Sequence, residues 1–411
     1  MFFQLKTVEE ILQILSGLPA VGDETVMSLS SALGRVLAGD VISPEALPGF
    51  SRSSMDGFAV RARDTYGATE SLPAFMEVAG EVSMGTRPTG GIGPGQAVRI
   101  ATGGMLPPGA DAVVMVEYCH ALDENTVEVA RAVSPLENVI GPEDDIRKGE
   151  RVLPAGTRLR PQELGVLAGL GISEVTVFRS PVVAVLSTGD EVVPVDRTPA
   201  PGQVRDINTH TLSAFCAGLG AVPQGLGLVP DRFDRLQECI HRGIEKADSV
   251  WISGGSSVGT RDLTVRVLES VEGMEILAHG VSISPGKPTI LARVGRRTIW
   301  GLPGHVASAL VVAEVLLRPF LRRISGEAAR SPATRFSVEA ELGRNIESAP
   351  GRDDFIRVRL REENGRIIAD PLFGKSGLIS PLLEADGLVR VDRFTEGLYR
   401  GDRVTVRLFG G

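Results

Sequence analysis

The chain has little of what builds a disulfide scaffold or a thiolate metal site. Its 411 residues hold three cysteines, Cys119, Cys216 and Cys239, and no C-x-x-C pair. That spacing excludes a disulfide framework and a cysteine zinc site, and it fits a reducing compartment. The five histidines show no metal-ligand spacing either. No apolar run approaches the roughly 20 residues that a membrane helix needs. Basic charge is in deficit, with 43 lysines and arginines against 51 aspartates and glutamates and a net charge of -8. This balance argues against nucleic acid and membrane surfaces as partners. An anionic substrate would have to be held by local lysines, helix N-termini or a bridging metal. Only Lys6 precedes the first amphipathic segment, which argues against a signal peptide, so a cytoplasmic protein is expected.

What is present is a globular composition, 43% apolar and 23% charged. The length predicts two to four domains. Thr7-Val8-Glu9-Glu10 is a capping box, and Leu5, Val8, Ile11, Leu12 and Leu15 share one helical face. A second helix is expected over 30–38, before Pro44 and Pro48. From about 44 to 145 short β-rich runs (74–82, 96–102, 112–118 and 126–132) are separated by glycine and proline and predict a small β domain. Helix and loop return over 146–178, with the helix at 161–170. Strands at 182–186, 221–228, 249–252, 276–283 and 298–301 then alternate with helices at 209–219, 232–246, 263–271 and 306–322. That alternation predicts a doubly wound parallel sheet. After Ser331, strand patterns at 336–342, 355–360, 387–391 and 403–408 predict a C-terminal β domain.

The segment from Val250 to Asp262, V-W-I-S-G-G-S-S-V-G-T-R-D, reads as a buried strand emptying into a glycine and hydroxyl loop that ends on a carboxylate. In open α/β sheets ligands bind at the carboxyl ends of strands. Gly254, Gly255 and Gly259 would let backbone N–H groups approach an anion, and Ser253 and Ser257 add hydroxyls. Asp262 is suited to a helix cap or a hard cation. Three more loops fall at strand ends: 187–191 (S-T-G-D-E), 284–288 (S-P-G-K-P) and 301–305 (G-L-P-G-H). Each alone is an ordinary turn. Together they bring carboxylates, Lys287, hydroxyls and helix N-termini to one sheet edge, the parts for holding phosphate with a divalent ion.

Competing motifs are weaker. Gly255-Ser256-Ser257-Val258-Gly259 satisfies G-x-S-x-G, the hydrolase nucleophile elbow, with His279 and His305 downstream, but no oxyanion segment precedes it. Gly374-Lys375-Ser376 ends like a Walker loop, yet Ala369 stands where the first glycine belongs, so it reads as a turn. No G-x-G-x-x-G follows a strand. On residue physics alone, Asp56-Gly57 and the end of Arg99-Ile100-Ala101-Thr102 read as turns.

Taken in order, these segments resemble the molybdopterin molybdotransferase family, which includes the E domain of gephyrin. The resemblance runs from about Thr7 to Leu408. It is carried by S-S-M-D-G-F-A-V (53–60), R-I-A-T-G-G (99–104), D-I-R-K-G (145–149), S-T-G-D-E, R-D-I-N (205–208), S-G-G-S-S-V-G-T-R-D (253–262), S-P-G-K-P and G-L-P-G-H. G-R-D-D-F (351–355) and G-K-S-G-L-I-S (374–380) add to it. The resemblance implies an elongated discontinuous domain (22–43 with 146–178), a small β domain (44–145), an α/β domain with the active site (1–21 with 179–328) and a C-terminal β-barrel-like domain (332–411). It also implies a homodimer whose small domain faces the partner's active site, which makes Asp56 and Thr102 candidate catalytic residues.

The reaction so implied converts adenylylated molybdopterin and molybdate, with tungstate as an alternative oxyanion, into molybdenum cofactor and AMP. Mg²⁺ is the expected cofactor, with Asp190, Glu191, Asp231 and Asp262 as ligands. Glu191, Asp231, Asp262 and Lys287 join Asp56 and Thr102 as the catalytic set. Ser253, Gly254, Gly255, Ser257, Gly259, Pro288, Pro303, Gly304, Ser308 and Arg352 are the candidate substrate-binding residues. The adenylyltransferase of the same pathway and apo-molybdoenzymes are candidate partners. This chain departs from the family where Ser284 replaces a common lysine, His305-Val306 an Asn-Pro pair, and Ile207 a serine. His305 is expected to cap the helix that follows it. Two alternatives stand beside this reading. One is adenylyl transfer to molybdopterin, which would consume ATP. The other is a non-catalytic scaffold, which the retention of Asp56, Asp262 and Lys287 opposes.

Overall fold

Alternating inward and outward apolar residues make the central sheet two-faced. A computed structural model describes residues 5–254, 258–328 and 336–410, the side chains of 258–262 excepted. In it six strands form this sheet: β1 (Val182–Thr188), β2 (Val222–Val229), β3 (Ser249–Gly254), β4 (Met274–His279), β5 (Ile290–Val294) and β6 (Arg297–Leu302). Their spatial order is β2-β1-β3-β6-β5-β4. Val183, Val185, Trp251 and Trp300 face one way, against helices Val8–Ser16, Asn208–Gly218 and Val306–Val312. Ala184, Leu186, Val250 and Ile252 face the other way, against helices Phe233–Lys246 and Val258–Glu269. Helices on both faces make the domain doubly wound.

The sheet is mixed rather than wholly parallel. β2, β1, β3 and β6 are parallel neighbours, whereas β5 runs antiparallel to both of its neighbours, β6 and β4. The turn at Gly295-Arg296 is too short for a crossover helix, so β5 and β6 can pair only as a hairpin. The single strand expected over 276–283 also divides. β4 stops at His279 before Gly280, which has φ +98°, and Ile283–Ser284 then pairs with the C-terminal sheet at Asp353 and Asp354.

The first helix has its capping box, with Glu10 N–H donating to Thr7 Oγ1 at 3.2 Å and Thr7 N–H to Glu10 Oε2 at 2.7 Å. The helix expected over 30–38 is absent. A single 3-10 turn, Leu29–Ser31, stands there, Gly34 takes φ +74°, and Val36 and Leu37 bridge to Arg158 and Val177. Strand Glu24–Ser28 pairs antiparallel with Glu174–Phe178 and Val41–Ile42 with Arg151–Leu153, so two distant pieces of chain build one elongated unit. The small β unit is a six-stranded sheet over 57–129. In the C-terminal unit, Ser337–Leu342, Asp353–Glu363, Arg366–Pro371, Gly387–Val391 and Arg403–Leu408 pair in a ring and close a five-stranded barrel. Among the described residues no helix is long and apolar enough to cross a membrane.

Both chain crossings into the α/β unit are tied at one point. Arg179 donates to Asp23 and, through two nitrogens, to Asp248 (2.8 and 3.0 Å), which also accepts from Arg297 and from Val182 N–H. Burial pushes the Asp248 carboxyl up, but these donors outweigh it and hold it below the usual aspartate range.

Candidate active site

Parallel pairing puts the strand ends level. Thr188 at the end of β1 is in register with Val229 of β2 and Gly254 of β3, and Ser253 is in register with Leu302 of β6. The loops after β1, β2, β3 and β6 therefore share one edge. At Gly254 the backbone has φ +143°, and a Cβ there would lie 2.1 Å from the Thr188 carbonyl oxygen. Only glycine lets β1 and β3 meet this closely. Gly254→Ala should therefore cost about 3 kcal/mol from strain and overpacking together. Chemical denaturation checks this; a loss below about 1 kcal/mol would show that the strands can separate cheaply.

The acidic side of the crevice follows from β1 and β2. Thr188 Oγ1 donates to Asp231 Oδ1 at 2.5 Å, and Asp231 N–H donates to Asp190 Oδ1 at 3.2 Å. Asp190 and Glu191 are exposed and Asp231 is half-buried. Burial, with the charges of Asp190 and Glu191, raises the Asp231 pKa against the Thr188 hydrogen bond. Among the described residues no ion pair with a lysine or arginine offsets this negative charge. Among the described residues no three carboxylates, histidines or cysteines converge as a ready metal cluster. Gly255 and Ser257 lie outside the described residues. Gly259 and Asp262 fall on the helix Val258–Glu269, and their side chains lie outside the described set.

The other side of the crevice is built by three loops. Gly254, Pro288 and Pro303 line one small crevice with Ile252, Thr264 and Leu302. Gly286, at φ +129°, seats the 284–288 loop against Val312, where a Cβ would lie 2.6 Å from Val312 Cγ2. Lys287 is exposed beside this seat, and Ser308 is buried on the helix Val306–Val312. Ser282 Oγ donates to the Gly351 carbonyl at 2.5 Å, and Arg352 Nε donates to Asp354 Oδ1 at 2.9 Å. Since Asp354 is in register with Ser284, Arg352 stands next to the Lys287 loop, neutralised in part by its own carboxylate.

His305 occupies the N-cap position of that helix, but its side chain makes no cap. Its Nδ1 instead lies 2.8 Å from Ser376 Oγ, and Ala307 N–H donates to the Ser376 carbonyl at 3.2 Å. The capping role expected for His305 is replaced by a tether to the C-terminal barrel. The G-K-S turn is accordingly a docking loop. Beneath it lies a residue that the sequence pattern did not single out. Arg357 is 8% exposed, Nη2 donates to the Gly374 carbonyl at 3.2 Å, and Nη1 is buried with no hydrogen-bond partner among the described residues. Burial lowers its pKa and no carboxylate opposes that. An arginine so enclosed calls for an anion. Nothing in the sequence signals it directly: Ile356, Val358 and Leu360 fill the barrel core, and Arg357 lies on the opposite face of the strand with Phe355, which packs into the α/β core.

Asp56 and Thr102 meet in the small β unit. Asp56 Oδ1 accepts from Thr102 N–H at 2.6 Å and Thr102 Oγ1 at 2.9 Å, donors that hold the exposed carboxyl below its usual pKa. Among the described residues no hydrogen bond or ion pair links this pair to the α/β crevice of the same chain.

Three family profiles match in order: the MoeA N-terminal region (domain I and II) over 6–171, a probable molybdopterin binding domain over 184–323, and the MoeA C-terminal region (domain IV) over 339–409. The molybdopterin molybdenumtransferase of Haemophilus influenzae is 35% identical over 345 residues, 84% of this chain and 83% of that one. The chain belongs to this family. The corresponding protein of Bacillus subtilis is 31% identical over 384 residues, 92% of this chain and 88% of that one. A crystal structure of the molybdopterin biosynthesis moeA protein from Pyrococcus horikoshii OT3 is 29% identical, covers 99% of this chain and 100% of that one, and superposes with a TM-score of 0.85. The protein is thus a multidomain enzyme of molybdenum cofactor biosynthesis. The nucleophile-elbow reading of the 255–259 loop falls away with that assignment.

Proposed function

We propose that the protein inserts molybdate into adenylylated molybdopterin and releases AMP, acting as a cytoplasmic homodimer. One observation carries this reading. The carboxylates Asp190, Glu191 and Asp231 stand after β1 and β2 on the same sheet edge as Gly254, Pro288 and Pro303, and the exposed Lys287 lies on the loop that enters β5 at that edge. A phosphoanhydride substrate needs a cation beside its pyrophosphate and free N–H groups along it. The oxyanion needs a separate cationic pocket. Carboxylates suited to such a cation and the exposed Lys287 both stand on loops of this sheet edge, which supports the reading.

The hard oxygen donors and the negative charge around Asp231 fit Mg²⁺, which Asp190, Glu191 and Asp231, with Asp262, would hold; when bound it neutralises pyrophosphate charge. The protein's own groups do the rest. Thr188 fixes the rotamer of Asp231, and the N–H groups at Ser253 and Gly254 line the phosphates. Lys287, Ser308, Arg352 and the buried Arg357 receive the oxyanion, molybdate or tungstate. Water attacks the adenylyl phosphorus, a new P–O bond forms as the phosphoanhydride P–O bond breaks, the water's proton passes to the departing phosphate, and AMP is released while molybdopterin keeps its own phosphate. Asp56 and Thr102 are supplied to this crevice by the partner subunit.

Purified protein given adenylylated molybdopterin, Mg²⁺ and molybdate should release AMP in step with cofactor formation. No release, beside an active relative under the same conditions, overturns the proposal; ATP consumption with unmodified molybdopterin would reassign it as an adenylyltransferase. Lys287→Ala should raise the molybdate concentration needed for half-maximal rate about tenfold, as expected for one charge-assisted contact at an exposed site. An unchanged molybdate dependence would remove Lys287 from the oxyanion pocket.

A further inference from the structure

Asn208 begins the helix Asn208–Gly218 at the sheet edge where the crevice lies, and it is 8% exposed. Its Nδ2 donates to Ser253 Oγ and to the Gly304 carbonyl, both at 2.7 Å. A carbonyl can only accept, so the Gly304 contact fixes which end of the amide is nitrogen. That leaves Oδ1 buried, with no hydrogen-bond partner among the described residues. The nearby hydroxyls do not serve it: Ser187 Oγ donates to Asp206 and pairs with Thr209 Oγ1. A buried amide oxygen left unmatched in a folded protein marks a missing donor.

The position narrows the donor. Asn208 bridges the loops that leave the adjacent parallel strands β3 and β6, next to the segment that lines the small crevice with Gly254 and Pro303. An amide oxygen repels phosphate and molybdate, so the anionic parts of the substrate cannot fill this position and a donor on one of its bases can. The substrate in the function proposed above carries such donors on both of its bases, the exocyclic amines of the pterin and of the adenine among them.

We propose that Asn208 is a specificity-determining residue. Its Oδ1 accepts from the exocyclic amine of a heterobicyclic base seated beside the Ser253 and Gly304 loops, while Nδ2 holds those two loops together. This inference deepens the proposed function and rests on it.

Calorimetric titrations with molybdopterin and with AMP, each given separately to wild type, Asn208→Ala and Asn208→Asp, test the assignment. Asn208→Ala should weaken one of the two ligands about tenfold and leave the other within twofold, and the ligand affected names the base. Asn208→Asp keeps an acceptor and should recover part of that loss. Equal losses for both ligands, the result of a purely structural latch, overturn the proposal, as does no loss for either. A readout independent of variant folding uses wild type alone. The 2-oxo analogue of the pterin or inosine monophosphate should bind about tenfold weaker than its amino parent, and parity for both analogues overturns the reading. AMP release by the wild type, measured in parallel, reports on the overall reaction separately from recognition of the base.

Discussion

Asp231→Asn should lower the rate of AMP release about a hundredfold or more while leaving the protein at least as stable as the wild type. The two effects have one origin. Asp231 is half-buried beside Asp190 and Glu191, and its carboxyl titrates above the usual aspartate range because burial and those charges disfavour the anion. A carboxyl whose pKa is raised by folding stabilises the native state in its protonated form. That contribution is complete below the unfolded-state pKa and is lost as pH rises through the folded-state value. Near neutral pH the ionised group therefore opposes folding. Asparagine accepts the Thr188 hydroxyl equally well and removes that opposition, so the variant's advantage in thermal midpoint should grow from acid toward neutral pH. Function needs the opposite, since a neutral amide cannot supply the charge that holds a cation on pyrophosphate, and groups acting on developing charge carry factors of about 10²–10³. The wild-type rate should accordingly rise with pH through the raised pKa. A variant with near-normal rate removes Asp231 from the site. A variant that unfolds more readily at neutral pH shows that the Thr188–Asp231 contact outweighs the repulsion.

This trade also explains why the acidic loop was legible in the sequence while its neighbours were not. Asp190, Glu191 and Asp231 follow β-branched runs, and a charge after such a run falls at a strand end whether the sheet is parallel or mixed. Gly254 and Gly286 were marked by composition alone, and the structure supplies the reason in the 2.1 and 2.6 Å approaches that any Cβ would suffer. Strand β5 escaped the pattern because Pro288 and Gly295 enclose it so tightly that the run resembles a loop. The chain reversal at 280–284 escaped for a different reason. His279-Gly280 interrupts the apolar residues from 276 to 283, but nothing in that run shows that Ile283 and Ser284 leave the sheet to join the barrel. The helix expected over 30–38 failed because pairing of Val36 and Leu37 with distant residues overrides a local preference. Long-range pairing is also what buries Arg357 and turns the 374–378 loop into a tether on His305. None of these contacts has a sequence-local signature.

Mixing two inactive variants, Asp56→Ala and Asp231→Asn, should restore about one quarter of wild-type activity. Asp56 and Thr102 form a tight hydrogen-bonded pair with no described contact to the crevice in their own chain. If the pair completes the partner subunit's crevice, each site draws Asp56 from one chain and Asp231 from the other. Random reassociation places half of all dimers in the mixed form. Each mixed dimer then has one doubly altered site and one unaltered site, so about one site in four regains both groups, as two-fold symmetry requires. If each chain instead closed its own site, every site in a mixed dimer would carry one substitution and activity would stay near zero. The experiment needs co-refolding or coexpression with two affinity tags, so that the mixed dimer can be isolated. Activity confined to that fraction, at about half the wild-type rate per dimer, would establish sharing. Inactivity of the isolated mixed dimer, with both parent variants folded and dimeric, would show that each chain closes its own site, whereas an Asp56→Ala parent that stays active would place Asp56 outside the reaction and return it to the turn that its sequence first suggested.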